Sequence, residues 1–133
     1  MAELLFVYGT LRRGFSRHVF LERLGAQFVG RASTQAELHD LGKFPGAKKS
    51  KRREARVTGE IYRLANPERA LKVLDAVEGL RGGAPTGGMF RRERAQVSFP
   101  NGKHTLAWVY WLNNWKGPRR RVRSGDYAEN SEQ

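Results

Sequence analysis

Two short stretches of this sequence have residue types and spacing that can do chemistry. The first is Val7-Tyr8-Gly9-Thr10-Leu11-Arg12-Arg13-Gly14, an apolar run ending in a glycine turn. Glycine lets backbone N–H groups face outward with no side chain in the way, so such a turn can cradle an anion or a carbonyl oxygen. The glycine and lysine spacing of a Walker phosphate loop is missing, which excludes nucleotide binding of that kind. The second stretch is Leu74-Asp75-Ala76-Val77-Glu78-Gly79. Asp75 and Glu78 are three apart and share a face at the end of a helix. A carboxylate in a last turn faces the negative end of the helix dipole, which disfavours its ionised form. Partial desolvation raises its pKa further, toward the range of a general base. Taken singly, the first stretch also fits a plain strand-to-helix turn and the second a solvated acidic face.

Other chemistries are excluded or weakly signalled. There are no cysteines, which rules out disulfides, thiolate metal sites and a cysteine nucleophile. His18, His39 and His104 lack metal-ligand spacing, so neither a metal nor a cofactor is expected. Trp108, Tyr110, Trp111 and Trp115 alternate along one strand and its end, as core aromatics do. Lys plus Arg is 25 and Asp plus Glu is 13, a formal net charge of +12. Two clusters carry much of it: Lys48, Lys49, Lys51, Arg52, Arg53 and Arg56, then Arg119, Arg120, Arg121 and Arg123. Each fits a nucleic-acid or other anionic partner, or else a solvated loop. The lack of aromatics within 48–56 argues against stacking on single-stranded bases.

The elements that must position these residues can be read in order. A chain of 133 residues, 39% hydrophobic and 29% charged, is expected to form one domain over 1–133 with a sizeable core. Leu4-Leu5-Phe6-Val7 is too short for a signal segment or a membrane span, so a cytoplasmic chain is expected. Glu3 to Tyr8 reads as a buried strand. Ser16 can cap a short helix to about Leu24, with Val19, Phe20 and Leu24 inward. Phe28 to Leu41 reads as extended. Gly42 to Arg56, Gly/Pro/Ser-containing and basic, reads as a mobile surface loop, its basic part about 43–56. Val57 to Leu64 is strand-like. Asn66-Pro67 starts a helix with Ala70, Leu71, Leu74 and Val77 at helical spacing and Gly79 as its cap. Gly82 to Gly88 is too glycine-rich for a regular element. Phe90 to Phe99 and His104 to Leu112 flank Asn101-Gly102 as a hairpin, the second strand apolar on both faces and therefore central. From Lys116 to Gln133 the chain is a basic, then polar tail with frayed last residues. The sum is an α+β domain on a curved, largely antiparallel sheet.

In this order the motifs resemble the γ-glutamylcyclotransferase-like family, which includes γ-glutamylamine cyclotransferases and AIG2-like proteins. The matching pieces are Tyr8-Gly9-Thr10-Leu11-Arg12-Arg13-Gly14, Gly59-Glu60-Ile61-Tyr62 and Leu74-Asp75-Ala76-Val77-Glu78-Gly79. Phe90-Arg91-Arg92, Ala107-Trp108-Val109-Tyr110 and Ser124-Gly125-Asp126-Tyr127 follow. The resemblance implies a small mixed barrel with flanking helices and a pocket at its mouth. It implies cyclisation of a γ-glutamyl group to 5-oxoproline with release of an amine or amino acid. The backbone of Tyr8, Gly9, Thr10 and Leu11 would hold the γ-glutamyl moiety, and Glu78 would be the general acid/base, with Asp75 as support or solvated surface. Phe90 departs from the family pattern: many relatives carry tyrosine there. The reading from another class is a basic binding module on the same fold without turnover.

Overall fold

Alternation along the first strand sets up two packed layers. The computed structural model describes residues 3–78, 88–113 and 115–131. In β1 (Glu3–Val7), Leu5 and Val7 face one apolar cluster, while Phe6, followed by Tyr8, faces another. The second cluster, with Val57, Ile61, Val109 and Trp111, is the interior of the sheet. The first, with Leu21, Leu71 and Leu74, lies between the sheet and two helices, α1 (His18–Arg23) and α2 (Pro67–Val77).

The remaining strands are β2 (Gln27–Asp40), β3 (Pro45–Lys49), β4 (Arg56–Leu64), β5 (Phe90–Ser98), β6 (His104–Leu112) and β7 (Arg120–Val122). Their order is β1-β4-β2-β3-β6-β5, and a further β1–β6 pairing closes β1, β4, β2, β3 and β6 into a five-strand barrel. The β1–β6 and β3–β6 contacts are parallel and the other pairings antiparallel. The α+β, largely antiparallel barrel with flanking helices is thus the observed architecture. Strand β6 pairs with β1, β3 and β5, which explains why it is apolar on both faces. Asn66 caps α2, its side chain accepting from the Arg69 N–H at 3.3 Å, while the expected Gly79 cap and residues 82–87 lie outside the described residues.

Three readings need correction. The 42–56 segment is not all a mobile loop. Pro45, Gly46 and Ala47 are buried in β3, which pairs with β2 and β6. Small side chains let this strand pack where large ones would not fit, so no hydrophobic run announces it. Nor is the 116–133 tail without structure. Its β7 pairs with β2, and α3 (Tyr127–Ser131) follows. Gly125 sits at φ +73°, where a side chain would collide with the Arg56 carbonyl, and its own carbonyl accepts from the Thr58 N–H at 2.8 Å. Finally, Ser16 does not cap α1. Tight turns from Arg12 to His18 delay the helix to His18, so Leu21 becomes its buried residue and Val19 is 39% exposed.

Candidate active site

The turn after β1 meets the end of α2 at one mouth of the barrel. A cavity enclosing about 380 Å³, counted out to its open mouth, is lined by Tyr8, Gly9, Thr10, Leu11 and Glu78. Arg17, Phe44, Pro45, Phe90 and Tyr110 complete much of its wall. All five residues singled out in the sequence therefore converge on one pocket, although 67 positions separate Leu11 from Glu78.

The turn is held from below, leaving its upper side to the pocket. The Gly9 carbonyl accepts from the Arg12 N–H at 3.0 Å, and the Thr10 carbonyl from the Arg17 N–H at 2.9 Å. The imidazole Nδ1 of His18 lies 2.9 Å from the Leu11 carbonyl. Among the described residues, the N–H groups of Gly9, Thr10 and Leu11 donate none of the hydrogen bonds found outside helices and strands. Buried polar groups in this position are ready for a ligand's oxygens. Glycine at position 9 serves a close approach: a Cβ there would lie 2.6 Å from Cγ of Pro45. The Tyr8 side chain is structural. Its hydroxyl donates to the Tyr110 carbonyl at 2.6 Å and accepts from the Ala47 N–H at 3.0 Å, so its phenol is held far from ionisation, chiefly by burial.

Glu78 is the C-terminal cap residue of α2. Burial pushes its carboxyl up to about 7, while the charge of Arg17 pulls the other way. Standing at the C-terminal cap, it also meets the last carbonyls of α2, the negative end of the helix dipole. Arg17 donates to one of those carbonyls, Val77, at the long distance of 3.5 Å. The pocket thus holds one titratable carboxyl, one arginine and a set of main-chain donors, between apolar walls. Such a set can move a proton and hold an anionic group.

Asp75 is not solvated surface. It is buried, and it accepts from Arg92 Nε at 2.8 Å, Arg92 Nη2 at 3.1 Å and the Tyr110 hydroxyl at 2.7 Å. Asp75 therefore ties α2, and with it Glu78, to β5 and β6. Core packing accounts for Trp111, but Tyr110 also lines the pocket and joins this network. A second network fastens the turn. Glu60 accepts from the Arg13 N–H and the Tyr62 hydroxyl, each at 3.0 Å, and Arg12 donates to Asp126 at 2.7 Å. Burial opposes ionisation of Asp126, but Arg12 outweighs it and holds the carboxyl below its usual range.

Sequence reasoning missed Arg17, Phe44 and Pro45. No periodicity or motif distinguishes them; only the meeting of α1, β3 and α2 brings them to the pocket.

Comparison with known proteins agrees with this geometry. The family described as Gamma-glutamyl cyclotransferase, AIG2-like matches residues 5–129. A relative from Vibrio cholerae is 32% identical over 131 residues, which covers 97% of this chain and 98% of the relative. The Gamma-L-glutamyl-butirosin B gamma-glutamyl cyclotransferase of Niallia circulans is 36% identical over 111 residues, 82% of this chain and 66% of that protein. The crystal structure of a mouse AIG2-like protein superposes with a TM-score of 0.71 at 28% identity, covering 86% of this chain and 80% of that one. With the match running through both the glycine turn and the acidic helix end, the chain belongs to the gamma-glutamyl cyclotransferase, AIG2-like family.

Proposed function

We propose that this protein cyclises the γ-glutamyl group of a small amide to 5-oxoproline, with Glu78 as general acid/base. One observation carries the reading: a carboxyl raised to about 7 shares a pocket with the main-chain donors of Tyr8 to Leu11. The substrate's α-amine is protonated at neutral pH, so a base must free its lone pair before it attacks the γ-carbonyl carbon. Glu78 takes that proton. The new C–N bond closes the five-membered ring, and negative charge develops on the carbonyl oxygen. That oxygen, or the substrate's carboxylate, is met by the N–H groups of the turn and by Arg17. Collapse of the tetrahedral intermediate breaks the bond to the leaving nitrogen, to which Glu78 returns the proton, and the second proton of the ring nitrogen passes to the released amine, which leaves as an ammonium. The nucleophile lies within the substrate, so no serine or cysteine is required, and orientation supplies much of the rate. The activity named for the Niallia circulans relative, removal of a γ-glutamyl group, supports this class of reaction.

The test is a panel of γ-glutamyl amines and γ-glutamyl amino acids incubated with purified protein, with 5-oxoproline as the readout. Turnover of at least one member is expected, and Glu78→Gln should lower it by about two to four orders of magnitude while circular dichroism stays unchanged. Near-wild-type turnover in folded Glu78→Gln would overturn the assignment.

A further inference from the structure

Two basic clusters that lie far apart in the sequence are brought together by strand β2. Its residue His39 pairs with Gly46 of β3 on one side and with Arg121 of β7 on the other. Glu37, two positions earlier, pairs with Lys48. Residues paired across a sheet, and those two apart along a strand, share a face. Glu37, His39, Lys48 and Arg121 therefore lie on one face, opposite to Leu38, Ala47 and Val122 in the barrel interior.

The segment after β3 adds to this face. Lys49 pairs with Ala36 on one edge of β2, whereas the Ala55 carbonyl accepts from the Ala36 N–H. β4 then pairs with Gln35, on the side of β2 that β7 extends. Residues 50–54 thus cross over β2. Ser50 Oγ contacts Glu37 Oε2 at 3.2 Å, so the crossing is on the His39 face. That carries Lys51, Arg52 and Arg53 over the same ground. The electrostatics at His39 follow from the same gathering. Burial lowers its pKa, and Arg119, Lys48 and Arg121 lower it further against the opposing pull of Glu37.

Carboxylates neutralise part of the protein's positive charge. Lys49 is held by Glu93 at 2.6 Å, Arg92 by Asp75, Arg94 by Glu3 and Arg12 by Asp126. Among the described residues, no ion pair engages Lys48, Lys51, Arg52, Arg53, Arg119 or Arg121. The carboxylates of β2, β3, β7 and the crossing segment are Glu37, Asp40 and Glu54, and Asp40 is engaged by Arg120 at 3.5 Å. Among the described residues the large exposed apolar side chains are Val19, Phe28, Val29, Val73 and Leu106; Phe28 and Val29 lie at the end of β2 remote from His39, and none is on β3, β7 or the crossing segment. A protein partner or an inserted membrane helix would want apolar anchors here. Single strands would want aromatic platforms. What fits a polar face of unpaired, arginine-rich cations, with Lys48 and Arg121 about 12 Å apart across two strand spacings and a two-residue offset, is a regular array of phosphates.

We propose that the outer face of β2, β3 and β7, with the crossing segment 50–54, binds the phosphate backbone of duplex nucleic acid. This binding is separate from the chemistry of the pocket, since none of these residues lines it.

The probe is a fluorescent mixed-sequence DNA duplex of about 20 base pairs, read by anisotropy between about 50 and 200 mM salt. Wild-type protein is expected to bind saturably. Neutralising about four to six phosphates gives a log–log salt slope of about −4 to −5. Lys48→Glu/Arg121→Glu should weaken binding by about tenfold or more and flatten the slope by about two, with 5-oxoproline formation unchanged. Arg23→Glu/Lys72→Glu, an equal charge change on exposed positions of α1 and α2, should keep affinity within about threefold. Should the first double variant misfold, Lys48→Gln/Arg121→Gln against Arg23→Gln/Lys72→Gln gives the same charge-matched comparison. Equal losses in the two charge-matched variants would overturn the proposal, because net charge alone would then explain binding. So would absence of saturable binding at low salt, or binding of single strands or phosphatidylserine vesicles as tight as that of the duplex.

Discussion

At the scale of single residues, the site depends on a carboxyl held where carboxyls are uncomfortable. With Glu78 raised from 4.5 to about 7, kcat/KM for a γ-glutamyl substrate should climb with pH through about 7 as the base form appears. Arg17 pulls that value down, so Arg17→Met should move the acidic limb of the profile to higher pH. Losing a cation that meets the substrate should also raise KM. A limb that stays in place would show that the arginine does not face the carboxylate. The same raised pKa has a consequence for stability. The folded state binds this proton more tightly than the unfolded chain does. Its contribution is therefore full below about 4.5 and is lost as pH rises through about 7. Ionised Glu78 is a cost in the working protein. Glu78→Gln should melt higher than wild type at pH 8, by about 1–3 kcal/mol, with the difference gone near pH 4. Destabilisation at both pH values would mark Glu78 as structural.

At the scale of elements, the pocket is made where strand ends and a helix end meet, and their legibility in the sequence differed for physical reasons. β4, β6 and α2 were legible because they bury runs or stripes of large side chains, α2 after an Asn-Pro start, and β5 through the Asn-Gly turn that joins it to β6. β3 was not, because its buried face is Pro45, Gly46 and Ala47, whose signal in a sequence is that of a turn. β7 was not, because only Val122 of its three residues is buried. That Tyr8 to Leu11 and Glu78 meet at one pocket was legible only through the family pattern. The link between Asp75 and Arg92 was not, since nothing local records a pairing across 17 positions. Two variants separate positioning from chemistry. Gly9→Ala places a methyl against the Pro45 ring and should weaken 5-oxoproline binding, measured by calorimetry, by about tenfold while the protein still folds. Unchanged affinity would make the turn merely structural. Asp75→Asn removes the charge that holds Arg92 and Tyr110. It should cost about 2 kcal/mol of stability yet reduce turnover far less than Glu78→Gln does. An equal loss of turnover would move Asp75 into the chemistry.

At the scale of the whole molecule, the first and last motifs are one structure. Arg12, just past the cradle, is 7% exposed in its side chain and donates to Asp126, 114 residues later, at 2.7 Å. Asp126 in turn accepts from the Ala128 N–H at 3.0 Å and starts α3, whose Tyr127 packs on Phe15 with ring centroids 5.5 Å apart. The polar end of the chain therefore braces the turn that forms the pocket floor. Asp126→Asn should loosen this brace. It takes the nearer of two carboxylates from the buried Arg12 guanidinium and leaves Glu60, 4.0 Å from Nε, a loss of about 1–3 kcal/mol, or a few degrees in Tm for a chain of this size. The sign of the pH dependence follows from the depressed carboxyl. Asp126 stabilises the fold above the unfolded carboxyl value of 3.8, and that contribution fades as pH falls through its lower folded value. The Tm gap between wild type and Asp126→Asn should thus be constant from pH 6 to 8 and close as Asp126 becomes protonated at a pH below the unfolded value of 3.8. Because the brace acts on Leu11 and Thr10 through the adjoining Arg12, the variant should also bind 5-oxoproline more weakly at neutral pH. A Tm gap independent of pH would mean that packing, not the Arg12 pair, holds the chain's two ends together.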